Sequence, residues 1–177
     1  MSDYLKKLEQ THLELGVSKD VLMYAKKIYM EANSSFLICG GKDKFNRDFY
    51  LIESALAAWQ SMQNAAQKED IFLEVVSAYR SVEYQANIIK NKLVKGLKVS
   101  NILKVSAAPG LSEHHTGCAI DISSPDETEV LTEGFEKTEA YQWLRKNAAK
   151  HDFTLSYPRN NGLGFGYEPW HWCYKSK

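Results

Sequence analysis

The chain lacks an excess of charge of either sign: 22 Lys plus Arg stand against 22 Asp plus Glu in 177 residues. No strong field recruits nucleic acid or an anionic membrane, so neither is expected as a partner. No apolar run approaches the ~18 residues needed to cross a bilayer, and no membrane span is expected. The first residues, Met1 to Lys7, carry charges with no apolar stretch after them, which does not read as a signal peptide. Cysteine is scarce. Cys39, Cys118 and Cys173 cannot all pair, and so few do not staple a secreted domain of this size. A reduced, cytoplasmic setting is the expectation if the chain is complete, and a periplasmic or extracellular one if a leader was removed. There is no internal repeat, no low-complexity tract, no G-x-G-x-x-G and no phosphate loop, which leaves nucleotide binding without support.

What is present suits a globular protein: 44% of residues are apolar and 25% charged. The length allows one domain with a real core and is short for two. The expected organisation is one domain over 1–177, with a helical part over 1–70 and the chemistry in 71–177, and a monomer is assumed. Ser18 is placed to cap a helix carrying Val21, Leu22, Ala25, Ile28 and Tyr29 at helical spacing. Leu51, Ala55, Ala58, Trp59 and Met62 form a second stripe. Ser81 is placed to cap a third helix that runs through Ile88, Ile89 and Leu93 to Gly96. A fourth helix spans about Glu136 to Lys150. All four stripes read as core packing. Short runs rich in β-branched and aromatic residues predict strands at Phe36–Cys39, Ile71–Tyr79, Ala119–Ser123, Phe153–Tyr157 and Trp170–Tyr174. Helices come mostly first and strands mostly later, which points to α+β with an antiparallel sheet.

Two segments carry unusual polar residues. Asp121 lies between Ile120 and Ile122 in a strand, where Asp is depleted and costly to bury without a cation or donors. The alternative is an edge-strand Asp facing water. His114 precedes it across Gly117, which permits a turn that brings both side chains to one metal. In the second segment, alternation along Trp170 to Tyr174 puts the aromatic residues on one face and His171 with Cys173 on the other. Pro169 holds Glu168 extended and breaks pairing there, leaving Glu168 at the strand mouth. Two His and one Asp leave a fourth zinc position for water, as catalytic sites do, and a Glu outside the ligand set can take that water's proton. The competing arrangement is a closed Cys2His2 site from His114, Cys118, His171 and Cys173, which leaves Asp121 and Glu168 without a role.

Ser112-x-His114-x-x-Gly117-x-Ala119-x-Asp121, followed by Glu168-Pro169-Trp170-His171, resembles the zinc D-alanyl-D-alanine peptidases associated with vancomycin resistance. That group comprises D,D-carboxypeptidases, D,D-dipeptidases and related L,D-carboxypeptidases. Ser77-Ala78-Tyr79-Arg80-Ser81, with Glu83 and Gln85 following, resembles the family's other signature. The resemblance covers about Ser77 to Tyr174, and no motif matches in 1–70. It implies zinc held by His114, Asp121 and His171, with Glu168 as general base. Arg80 would face the scissile carbonyl oxygen, and Ser112 and Gln85 would touch a peptidoglycan-type peptide ending in D-alanine. The implied fold is N-terminal helices on a small antiparallel sheet that carries the zinc site. His115 stands where relatives often carry Gln, and reads as a residue outside the ligand set, a decoy ligand or a substrate contact. Cys173 is expected beside His171, lining the pocket. Readings kept beside the carboxypeptidase are a D-Ala-D-Ala dipeptidase, an L,D-carboxypeptidase, and a zinc-stabilised binding module without turnover. The last rests on the hedgehog signalling domain, which resembles this fold.

Overall fold

The computed structural model describes residues 2–162 and 165–175. Helix α1 (Ser2–Glu14) turns Leu8 and His12, four residues apart, inward on one face. His12 Nε2 bonds the Pro109 carbonyl at 2.8 Å. Leu8 packs where a Cβ on Gly110 would sit 2.5 Å from its Cδ1. Gly110 also has φ +86°, so both the backbone and the packing require glycine there.

Helix α2 (Asp20–Met23) is a correction to the longer helix expected from Ser18 to Tyr29. Ser18 Oγ does accept from the Asp20 N–H, yet regular helix stops at Met23. Beyond it the backbone bonds elsewhere: Tyr29 N–H to Gly110 O at 2.8 Å and Ala32 N–H to His115 O at 2.7 Å. Tertiary hydrogen bonds to the 110–115 segment outcompete the weak local preference for helix.

Strands β1 (Leu37–Lys42) and β2 (Asp48–Ile52) form an antiparallel hairpin. Its turn is held by the Asp43 carboxylate, which accepts from the Phe45 and Arg47 amides at 2.9 Å each. The hairpin lies in the part expected to be helical, and Leu51 belongs to β2 rather than to the helix stripe that follows. Helix α3 (Glu53–Gln67) then buries Ala55, Leu56, Trp59 and Met62.

Strand β3 (Glu74–Ser77) leads into α4 (Val82–Val94), whose N-cap is Ser81, accepting from the Tyr84 N–H at 3.0 Å. The short α5 (Val99–Ile102), β4 (Ala119–Ser123), α6 (Glu139–Asn147), β5 (Phe153–Leu155) and β6 (His171–Tyr174) complete the chain. The second sheet is antiparallel in the order β3-β4-β6-β5. The fold class is therefore α+β with antiparallel sheets, as expected.

One apolar cluster joins α3, α6 and one sheet face, with Ile120, Ile122 and Trp172 at its base. A second, smaller cluster packs Ala86 and Ile89 of α4 against Leu15, Val17 and Ile102. Asp121 pairs in register with His171, and alternation turns both away from the first cluster. The polar face of the sheet thus carries Asp121 and His171 on the side away from the main apolar cluster. No helix among the described residues is long and apolar enough to cross a membrane.

Candidate active site

Residues Glu113–Thr116 form a single 3₁₀ turn, with the Ser112 hydroxyl accepting from the His114 N–H at 3.3 Å. The turn ends at Gly117, with φ +69°, and a Cβ there would meet Ile52 and Leu37 at 3.0 Å. Glycine is needed both for the left-handed backbone and for the close approach of the hairpin. This reversal sends the chain into β4 and carries His114 back over Asp121.

His114 is buried, and its Nδ1 lies 2.6 Å from Ala78 O. A carbonyl only accepts, so Nδ1 holds the proton and Nε2 is a bare lone pair. That lone pair lies 3.2 Å from Asp121 Oδ2 and has no hydrogen-bond partner. The contact is two acceptors facing each other with no hydrogen to share. Burial, with the Arg80 charge second, lowers the His114 pKa to about 4, outweighing the pull of Asp121, and keeps the ring neutral. Across from it, His171 Nδ1 sits 3.0 Å from Asp121 Oδ1 and 3.9 Å from Glu168 Oε2. Burial alone would lower the His171 pKa, but hydrogen bonds to Asp121 and Glu113 outweigh it and raise it to about 9. Asp121 is held well below the usual carboxylate range, because the hydrogen bond and the charge of His171 overcome its burial.

One ligand atom from each of His114, Asp121 and His171 lies within 4.8 Å of the others, and this is the metal-capable group among the described residues. Its buried lone pair facing a carboxylate is an arrangement a divalent cation relieves, and the donor set suits zinc with a fourth position open. No cysteine joins it, which removes the Cys2His2 alternative. Cys173 is buried, its thiol pushed up to about 12 by burial and by Glu113. It does not line the cleft, a correction to its expected place.

The group opens into a cleft of about 530 Å³ that also presents Arg80, Gln85, Ser112 and Glu168. Glu168 is raised to about 7, first by burial and also by Asp121 and Glu113, against the opposing pull of His171 and Arg80. Arg80 has a buried Nε without a partner. Gln85 donates Nε2–H to Ala107 O at 2.7 Å and leaves a buried Oε1 unpartnered. His115 is not a ligand or a substrate contact. Its Nε2 accepts from the Gly110 N–H at 3.0 Å and its Nδ1 donates to Arg80 O at 2.7 Å, which ties the arginine's backbone to the turn.

Two participants escaped the sequence reading. Tyr157 packs its ring against His171, centroids 4.8 Å apart. Glu113 reaches His171 Nε2 with Oε2 at 3.0 Å. Nothing local in the sequence marks Glu113, which is only 5% exposed.

The model of the VanY D-alanyl-D-alanine carboxypeptidase family matches residues 48–177, most of the chain. The chain belongs to this family. YodJ of Bacillus subtilis (strain 168), provisionally named a carboxypeptidase, is 39% identical over 131 residues, covering 72% of this chain and 47% of YodJ. The chain spans about half the length of such curated relatives. Among solved structures, the LD-carboxypeptidase LdcB superposes with a TM-score of 0.72 at 35% identity, covering 81% of this chain and 69% of LdcB. The vancomycin-resistance D,D-pentapeptidase VanY, solved with Zn(II), shares the fold with a TM-score of 0.62 at 23% identity, covering 84% of this chain and 85% of that one.

Proposed function

We propose that this member of the VanY family is a zinc-dependent carboxypeptidase that removes the C-terminal D-alanine from peptidoglycan-type peptides. The observation that carries this reading is the unpartnered, buried Nε2 of His114 facing Asp121, with His171 completing the group and Glu168 beside it. His114, Asp121 and His171 hold the ion. Zinc, when bound, supplies a Lewis acid for the carbonyl and acidifies water, and Zn(II) is present in the VanY structure of the same fold.

The remaining roles fall to the chain's own groups. Glu168, whose pKa in the metal-free chain is raised to about 7 by its burial, is placed to take a proton and to give it back. It accepts the proton of the attacking water as the oxygen adds to the scissile carbonyl carbon. It returns that proton to the amine when the C–N bond breaks, so one water is consumed per alanine released. Arg80 faces the charge that grows on the carbonyl oxygen, where a permanent cation in a water-poor site contributes several kcal/mol. Ser112 has its acceptor side engaged by His114 N–H, which leaves its O–H for the substrate's terminal carboxylate. The Gln85 Oε1 takes a peptide N–H.

Likeness to LdcB, at higher identity than to the D,D-peptidase structures, favours a second reading in which the bond cut is the L,D bond of a tetrapeptide. A second cavity of about 320 Å³ borders the cleft and shares Ala107, Tyr157 and Phe165 with it, which gives a peptide longer than a dipeptide a neighbouring surface to extend over. The test is mass spectrometry of a dipeptide, a tetrapeptide and a D-Ala-D-Ala-terminated pentapeptide incubated with zinc-loaded protein. Loss of one alanine from the pentapeptide supports the D,D reading, and loss from the tetrapeptide alone selects the L,D reading. Full rate in Glu168→Ala sinks the mechanism.

A further inference from the structure

We propose that Glu113 is a positioning residue for the metal centre: by accepting the Nε2 proton of His171 it selects the ring tautomer whose Nδ1 faces the ion. This rests on the metal reading of His114, Asp121 and His171 given above.

Glu113 occupies the first position of the 3₁₀ turn and is buried. Its carboxylate is surrounded by donors from separate parts of the chain. Oε1 accepts from Lys175 Nζ at 2.9 Å and from Tyr29 OH at 3.3 Å. Oε2 accepts from His171 Nε2 at 3.0 Å and from the Ser156 hydroxyl. Two donors on each oxygen hold the group against rotation, and Lys175 supplies the counter-charge that a buried carboxylate needs. An ionised carboxylate can only accept. The nitrogen facing it must therefore carry the proton, and the other nitrogen, Nδ1, is left on the side of Asp121 at 3.0 Å. Without Glu113 the neutral ring has a competing tautomer with its one proton on Nδ1, donated to Asp121, in which no lone pair faces the site.

His114 is built on the same plan with the nitrogens exchanged. There the Ala78 carbonyl takes the Nδ1 proton and leaves Nε2 inward. Each imidazole is thus oriented from behind by an acceptor, one a neutral carbonyl and the other a charged carboxylate. The charged acceptor also makes its imidazole the more basic donor.

A merely structural role would be a Glu113–Lys175 ion pair that fastens the end of β6 to the turn. Lys175→Met removes that pair and leaves His171 untouched, whereas Glu113→Gln keeps the shape and loses the obligate acceptor, since its amide can turn an NH₂ toward the ring. The experiment is the zinc affinity of each metal-free protein, read by competition with a chromophoric chelator, beside its urea unfolding. Expected is a loss of about 10- to 100-fold in Glu113→Gln with Lys175→Met near the parent. A Glu113→Gln affinity within about twofold of the parent, or an equal loss in both variants, overturns the assignment. Nitrogen-15 NMR of the zinc-loaded parent decides the matter without any variant. A proton on His171 Nε2 with the metal on Nδ1 is expected, and metal on Nε2 overturns it. If the parent binds no zinc, the metal reading falls as well. If the parent binds zinc and cleaves peptide while Glu113→Gln matches it, only the role of Glu113 falls.

Discussion

The two faces of the strand pair β4–β6 are buried equally and made of opposite chemistry. On one face Ile120, Ile122 and Trp172 enter the main apolar cluster. On the other, Asp121 and His171 are each 3% exposed and carry charge into the interior. Burial of the first set releases apolar surface from water and stabilises the fold. Burial of the second opposes folding unless donors or a cation satisfy it. The apolar face is self-sufficient, whereas the polar face leaves the buried Nε2 of His114 without a partner, and that difference separates the scaffold from the site.

The comparison breaks most visibly at Glu168. Glu168→Gln is expected to lower kcat by roughly 10²- to 10⁴-fold while the denaturation midpoint of the metal-free protein holds, as paired kinetics and urea curves would report. A parallel fall in stability would make this face a scaffold too. The converse change is Trp59→Ala, in the cluster beneath the sheet, which should cost about 3–5 kcal/mol of unfolding free energy. Its zinc stoichiometry, measured below the unfolding transition, should stay that of the parent.

The pH dependence sharpens the contrast further. His171 in the metal-free protein has its pKa raised from 6.5 to about 9. Its contribution to stability is complete below pH 6.5 and is lost as pH rises through about 9. A scan of melting temperature against pH should show this decline without metal. It should flatten with zinc bound, because the ion displaces the Nδ1 proton. For the same reason zinc affinity should increase with pH over that window. In activity, the base form of Glu168 is required, and a bound dication lowers its pKa from the metal-free value of about 7, so the acid-side fall in kcat should lie below pH 7. The smallest effect is expected at a residue belonging to neither face. Ser81→Ala removes the α4 cap and should cost about 1 kcal/mol, seen as a modest shift in urea midpoint at unchanged zinc affinity.

Parts of this protein were legible because the signal is local. Ser81 caps α4 as its spacing suggested, Gly96 follows the helix end, and β4 has the predicted bounds. The Asp121 anomaly and the alternation in β6 pointed to residues that the structure gathers. What was missed depended on distant partners. The stretch from Ala25 to Tyr29 has helical periodicity, but Tyr29 and the following Ala32 bond to the 110–115 segment. The period-2 pattern of β2 was absorbed into the stripe of α3, since Leu51 fits both. Glu113 drew no notice in the sequence because its partners, Tyr29, Ser156, His171 and Lys175, lie far along the chain. Cys173 was put on the correct side of β6, but strand alternation does not say where the cleft ends.

By itself the sequence determined the kinds of groups available and their local geometry: two histidines and an aspartate flanking a glycine reversal, a glutamate before a proline, an arginine ahead of a capped helix. Periodicity and steric limits act over a few residues and need nothing else. Only the tertiary structure decided which ring nitrogen faces the site, which carboxylate stands behind His171, and that His115 serves the backbone instead of a metal. Those outcomes depend on burial and on hydrogen bonds between remote segments. In a low-dielectric interior each donor must find an acceptor, and the folded chain as a whole determines which ones meet.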